Sequence, residues 1–218
     1  MHPIRYGGKV FQMEYVFPAE IAVLRAHRNG QFQEVPVLEW VKKLNRTGVY
    51  MDAGAHIGNH SLFFHAFCPS THVISIEAHP KIYSLMERNV DRNKTSDVKP
   101  WYLHNCAVWN KTSTVRIGSI PRNNAGHTKV VGVGGTEVQA RTIDDLSEGM
   151  PIAVIKIDVE DVEEQALEGA RDVLERNKPA IIIERHTPKQ LAFADQFLAD
   201  YGYKRVQNWT GIHTYAWL

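Results

Sequence analysis

Four carboxylates in this chain each close a short apolar run. Asp52 follows Val49–Met51, Glu77 follows Val73–Ile76, Asp158 follows Ile152–Ile157 and Glu184 follows Ala180–Ile183, with His186 two residues further on. Apolar runs of this length, separated by helical patterns, read as strands of an α/β sheet. In such a sheet, ligands sit beyond the carboxyl ends of the strands, so the four acids would share one rim. A carboxylate or imidazole placed there can take a proton from an acceptor hydroxyl or hold a nucleophile in line. Asp158, Glu184 and His186 are therefore the candidate catalytic cluster. Asp158 and Glu184 at adjacent strand ends would repel each other if both were ionised. A shared proton, a basic neighbour or a divalent cation would relieve that repulsion.

Asp52 and Glu77 belong to a different task. The segment Asp52-Ala-Gly54-Ala-His-Ile-Gly58 separates the first run from an apolar helical pattern at Leu62, Phe63, Ala66 and Phe67. This is a strand, a glycine loop and a helix. A dinucleotide loop would read G-x-G-x-x-G and place a pyrophosphate on the helix N-terminus. Here an acid opens the loop and would repel a pyrophosphate, which disfavours a nicotinamide dinucleotide. Glu77 lies 25 residues after Asp52, one helix and one strand later, where an acid hydrogen-bonds a ribose hydroxyl pair. S-adenosylmethionine, with an ammonium, a sulfonium and a ribose diol but no phosphate, suits this pair of acids. The plainer alternative is an ordinary αβ turn with glycines for geometry.

Several segments resemble the FkbM family of S-adenosylmethionine-dependent methyltransferases. They are Asp52–Gly58, Ile76-Glu-Ala-His-Pro80, Cys106-Ala-Val108, Arg141-Thr-Ile-Asp-Asp-Leu146, Ile155-Lys-Ile-Asp-Val-Glu160, Glu168-Gly-Ala170 and Ile181-Ile-Ile-Glu-Arg-His186, in the family's order over roughly residues 48 to 186. The Lys-Ile-Asp-Val-Glu segment is the most specific of them. The resemblance implies a Rossmann-like class I methyltransferase. Its sheet would be mostly parallel and seven-stranded, with an antiparallel terminal hairpin and an inserted hairpin after the third strand. It also implies a cofactor site made of Asp52, Gly54, Ala55, His56, Gly58, Asn59, Glu77, Ala78 and Asp158. Asn105, Cys106 and Ala107 fall where such folds meet the adenine. The acceptor it implies is the oxygen of a sugar-bearing or natural-product small molecule, and fold analogy allows a divalent cation at the Asp158 corner. One departure is visible: the family commonly has Gly where this chain has Asp161.

The remaining elements must position these residues. Residues 1–47 form an N-terminal extension. It contains a turn at Tyr6–Lys9, a strand over Val10–Val16 and helices over Ala19–His27 and Val37–Leu44. Pro80 opens a helix with Ile82, Leu85, Met86 and Val90 on one face. Trp101–Val108 reads as one strand. Thr114–Gly118 and Thr136–Thr142 alternate like half-exposed strands, and the Asn123–Thr128 loop between them, with His127, would border an acceptor. One long helix is expected from Glu160 to Lys178, and a second over Pro188–Tyr201. Tyr203–Trp209 and Ile212–Trp217 would pair as a closing hairpin. The pattern reads as a single domain over residues 1–218.

Composition sets the outer limits. With 44% hydrophobic and 22% charged residues the chain is of ordinary globular make-up. A net charge of +1 gives no pull toward nucleic acid. No apolar run is long enough to span a membrane. There is no signal-like apolar core near Met1, and two cysteines do not make a disulfide framework. A cytoplasmic enzyme acting on a small molecule is the expectation. The alternative is a non-catalytic S-adenosylmethionine-binding or interaction protein. A nucleic-acid amino-methylating enzyme would want an Asn/Asp-Pro-Pro-aromatic segment where Asp158–Asp161 stands.

Overall fold

The computed structural model describes residues 2–15, 21–94, 99–121 and 128–218. An α/β fold results, built around one large sheet. In chain order the main elements are β1 (His2–Tyr6), β2 (Lys9–Met13), α1 (Ile21–Arg28), α2 (Val35–Leu44), β3 (Gly48–Ala53), α3 (Asn59–Phe67), β4 (Ser70–Ile76), α4 (Pro80–Asn93), β5 (Trp101–His104), β6 (Ala107–Val108), β7 (Ser113–Ile117), β8 (Val130–Val131) and β9 (Thr136–Arg141). They continue as α5 (Ile143–Ser147), β10 (Ile152–Ile157), α6 (Glu163–Glu168), α7 (Arg171–Asn177), β11 (Ala180–Glu184), α8 (Pro188–Ala199), β12 (Arg205–Trp209), a 3-10 turn (Thr210–Ile212) and β13 (Thr214–Trp217).

The large sheet runs β12-β13-β11-β10-β3-β4-β5. It is mixed: β3, β4, β5, β10 and β11 pair in parallel, while β13 pairs antiparallel with both β11 and β12. Because side chains alternate across a strand, the central strands feed two cores. Val49, Met51, Ile155, Ile157, Ile181 and Ile183 face one side, where Leu167, Leu174 and Leu198 of α6–α8 cover them. Tyr50, Val154, Ile182 and Ala216 face the other side, where Leu38 and Val41 of α2 and Phe63 of α3 pack. Strands buried on both faces read as near-continuous apolar runs, which is why β3, β10 and β11 stand out in the sequence.

The first 47 residues close the second face. The β1–β2 hairpin turns on Gly7 and Gly8, both with positive φ. Its Ile4, Phe11 and Met13 enter the same core as Phe32 and Val37. Glu14 then bridges to Arg88 and Arg92 of α4 at 2.9 and 2.5 Å.

Four expectations change. The stretch 101–108 is not one strand: β5 ends at His104 and the chain leaves the sheet, with β6 pairing to β9 elsewhere. The inserted hairpin is a separate four-stranded sheet, β6-β9-β7-β8. The helix expected from Glu160 to Lys178 starts only at Glu163, because Glu160 and Asp161 take φ of 56° and 73°. It also breaks at Gly169, where a Cβ would sit 2.2 Å from the Trp109 carbonyl oxygen. The short helix α5, capped by the Thr142 hydroxyl on the Asp145 amide, went unrecognised in the sequence.

Candidate active site

The carboxyl ends of β3, β4, β10 and β11 open into a cleft of about 370 Å³. Elements far apart in the chain wall it. They include Glu34 at the start of α2, the 54–56 loop, Asn59 and His60 of α3, the 106–108 segment, Val130 of β8, and the turn at 211–213.

One half of the cleft is built on the glycine loop. Gly54 has φ of 81°, and a Cβ there would lie 1.8 Å from the Asp158 carbonyl oxygen, so only glycine lets the loop pass β10. Gly58 (φ 92°) then turns the chain into α3. Glu77, 8% exposed, accepts from the His56 amide at 3.0 Å and the His79 amide at 2.8 Å. Burial raises its carboxyl above the usual range, and the nearby His56 and the two amides only partly offset that. Ala78, Cys106 and Ala107 complete this wall. Burial pushes the Cys106 thiol up to about 11, so it acts as an apolar surface rather than a nucleophile.

The other half is acidic. Lys156, 4% exposed, places its ammonium 3.0 Å from Asp158 Oδ2 and 3.9 Å from Asp52 Oδ1. Burial alone would discharge this lysine, but Asp158 and Asp52 together raise it above its ordinary value. Asp158 moves the opposite way: burial would raise it, and Lys156 overrides that and holds it well below the carboxylate range. Glu184, hydrogen-bonded to Asp158, is pushed up to about 10 by burial and then by the Asp158 charge. The two carboxyls are thus pushed apart, Asp158 toward the ionised form and Glu184 toward the protonated one. Glu160 is raised to about 8, again by burial first and Asp158 second.

A buried clamp holds the loop that carries Glu160. Arg185, 2% exposed, donates to Glu163 Oε2 at 2.6 Å, and Glu163 Oε1 accepts from the amides of Val159 and Asp161 at 3.4 and 3.3 Å. At the departure from the family pattern, Asp161 tolerates its left-handed backbone, bonding Lys129 beside β8 and Gln190 of α8. The four-stranded sheet is thereby tied to the rim.

Not every expected site residue meets the cleft. Gly54, Ala55, His56, Asn59, Glu77, Ala78, Cys106, Ala107, Asp158 and Glu184 line it, whereas Asp52, Gly58, Asn105 and His186 do not. Asp52 is fully buried and accepts from the Ser61 hydroxyl at 2.6 Å; it supports Lys156 from below. Asn105 donates to the Glu77 and Ala78 carbonyls at 2.9 and 3.1 Å, so it braces the wall from behind. His186 is exposed, its ring against His213, and it is His213 that lines the cleft. The divalent cation that fold analogy allows finds no support in the site. Among the described residues no three His, Cys, Asp or Glu side chains converge to hold a metal, and the Lys156 ammonium supplies the neutralising charge. The Asn123–His127 loop lies outside the described residues. Sequence reasoning missed Lys156, Glu34, His60 and Glu160. Lys156 alternates with Asp158 along one strand, which hinted at a charge pair.

A cofactor-shaped glycine loop beside an acid-lined rim, on this sheet order, defines an α/β methyltransferase fold. The FkbM methyltransferase domain matches residues 52–205, and the chain belongs to that family. No curated protein matches the chain by sequence. Among solved structures, the methyltransferase FkbM from Methylobacillus flagellatus is similar with a TM-score of 0.61 at 18% identity; the match covers 90% of this chain and 52% of that one. This chain thus spans about half the length of that structure. A putative RNA methyltransferase from Pyrococcus horikoshii aligns with a TM-score of 0.53 at 12% identity, over 94% and 89% of the two chains. A methyltransferase from Pyrococcus furiosus aligns at 0.52 and 14%, over 95% and 87%. At these identities the likeness is one of fold.

Proposed function

We propose that the cleft binds S-adenosylmethionine and passes its methyl group to a hydroxyl oxygen of a small, sugar-bearing or natural-product acceptor. The observation that carries this reading is the junction of the two halves at Gly54 and Asp158. A nucleoside-sized wall meets a carboxylate rim there, and among the described residues no phosphate-binding cation lines the nucleoside side. The fit is favourable by chemistry. Glu77 is preorganised by two amides to accept from a ribose diol, Ala78, Cys106 and Ala107 offer an apolar bed for a purine, and the 54–59 loop lies between them and the acids. A pyrophosphate would face Glu77 and Asp158.

When bound, the cofactor supplies an electrophilic methyl on a sulfonium. The protein's part is to orient and to hold protons. Asp158, kept ionised by Lys156, accepts from a cofactor or acceptor N–H or O–H, and Glu184 donates its proton to Asp158 and fixes it in place. Lys156, buried and doubly paired, keeps the rim from becoming a patch of unbalanced negative charge. His186 has no part in the reaction on this reading.

Thermal melting with S-adenosylmethionine, S-adenosylhomocysteine and NAD tests the reading. A ligand at a hundredfold excess over its dissociation constant stabilises by ~2.7 kcal/mol, and this shift is expected with both adenosyl ligands. A shift with NAD alone overturns the assignment. Methyl transfer from labelled cofactor to a panel of polyols then separates an enzyme from a binding protein.

A further inference from the structure

Glu34 stands apart from the other acids of the cleft. It is the N-cap of α2, a position where a carboxylate ordinarily accepts from the first helical amides, yet its side chain makes no cap bond. Its backbone is left-handed, with φ of 57°. Strain of this kind at a non-glycine residue is retained where the surroundings over-determine it, and such positions cluster at functional sites. Instead of capping, Glu34 Oε2 accepts from His60 Nε2 at 3.1 Å, on the cleft wall.

The orientation of that bond is fixed by a buried chain of partners. Asn59 Oδ1 can only accept, so His27 Nε2 donates to it at 2.9 Å, and the Tyr15 hydroxyl donates to His27 Nδ1 at 2.8 Å. Asn59 Nδ2 can only donate, so it donates to His60 Nδ1 at 3.3 Å and leaves the His60 proton on Nε2, facing Glu34. The Gln33 amide and carbonyl hold the same Asn59 from the other side at 3.0 and 3.3 Å. Both ring nitrogens of His60 are thus in use. It positions Glu34.

We infer that Glu34 is the carboxylate that faces the transferred methyl and receives the acceptor's proton. The other acids of the rim have partners of their own. Asp158 is tied to Lys156 at 3.0 Å, Glu184 is set against Asp158, and Glu160 sits in the left-handed loop that Glu163 clamps. Among the described residues, His60 is the one side chain bonded to Glu34. Its charge is felt at Lys156 and at Glu184, so it lies on the acid half of the cleft. With its ribose held at Glu77, the cofactor would turn its sulfonium end into that half. As the acceptor oxygen bonds to the methyl carbon, the carbon–sulfur pair stays on sulfur as a neutral thioether. The hydroxyl proton passes to Glu34, whose other oxygen remains bonded to His60.

The inference rests on the methyl-transfer reading above, and one pair of ligands separates the two. Sinefungin carries an amine-bearing carbon where the cofactor has its methylated sulfur, whereas S-adenosylhomocysteine has a bare thioether there. Calorimetric titration of both is made with wild type, Glu34→Gln and Glu34→Asn. Asparagine tolerates a left-handed backbone, so the second variant relieves the strain. A charged hydrogen bond implies a loss of about tenfold or more in sinefungin affinity in both variants, with S-adenosylhomocysteine within about twofold of wild type. Equal losses for the two ligands, no loss for either, or variants that bind neither overturn the role of Glu34. If the wild-type protein binds neither ligand, the methyl-transfer reading itself fails and this inference with it.

Discussion

At the scale of single residues, the site works by giving neighbouring carboxyls different protons. Glu77 is the clearest case on the cofactor side, since both oxygens accept backbone amides and the residue lines the cleft. Glu77→Ala is expected to weaken S-adenosylhomocysteine binding by ~1.5–3 kcal/mol. Glu77→Gln, which keeps one acceptor oxygen, is expected to lose less; titrations showing both variants equal to wild type would remove Glu77 from the site. Glu184 makes a pH-dependent prediction. Its folded value is raised from an ordinary 4.5 to about 10, so between those limits the folded chain keeps a proton that the unfolded chain has released. Stability contributed by Glu184 therefore falls as pH rises, by at most ~1.4 kcal/mol per pH unit for one proton. Glu184→Gln cannot lose that proton, and its stability relative to wild type should grow between pH 5 and pH 9 in urea titrations. Parallel curves would mean that Glu184 is ionised in the fold. Asp52, Glu77, Asp158 and Glu184 were visible in the sequence because each ends an apolar run. Glu34 and His60 were not, because nothing local links residue 34 to residue 60, and the bond that joins them exists only after α2 and α3 pack.

At the scale of elements, glycine geometry decides which chain can approach which. Gly54→Ala would drive a Cβ into the Asp158 carbonyl and force a left-handed φ on a residue that resists it. A loss of at least ~3 kcal/mol is expected, read as a lowered melting temperature and lost nucleoside binding. Wild-type melting would show that the loop relaxes around the methyl. The loop and both core helices, α4 and α8, were legible because their signals are local: a glycine spacing, Pro80 behind the His79 cap, and Thr187 with Gln190 closing a capping box. What was not legible depended on distant backbone. The break between α6 and α7 comes from the Trp109 carbonyl pressing on Gly169, and the split of residues 101–108 comes from β9 capturing β6. Periodicity carries no trace of a neighbour that arrives from 60 residues away in the chain.

At the scale of the whole molecule, the first 47 residues are part of the core as well as of the cleft. Ile4, Phe11, Met13, Phe32 and Leu38 share a cluster with Tyr50 and Ile182 of the central strands. Removing residues 1–47 should abolish cooperative thermal unfolding; a truncated chain that still melts sharply and binds S-adenosylhomocysteine would show the segment to be dispensable. Among the described residues no helix is long and apolar enough to cross a membrane. Although last in the chain, β13 lies between β11 and β12, and the turn just before it gives His213 to the cleft. β12 pairs with β13 alone, so it joins the large sheet only through that strand. Without β13 on β11, the glycine loop and the paired acids would stand beside an open rim, because that pairing sets the 211–213 wall.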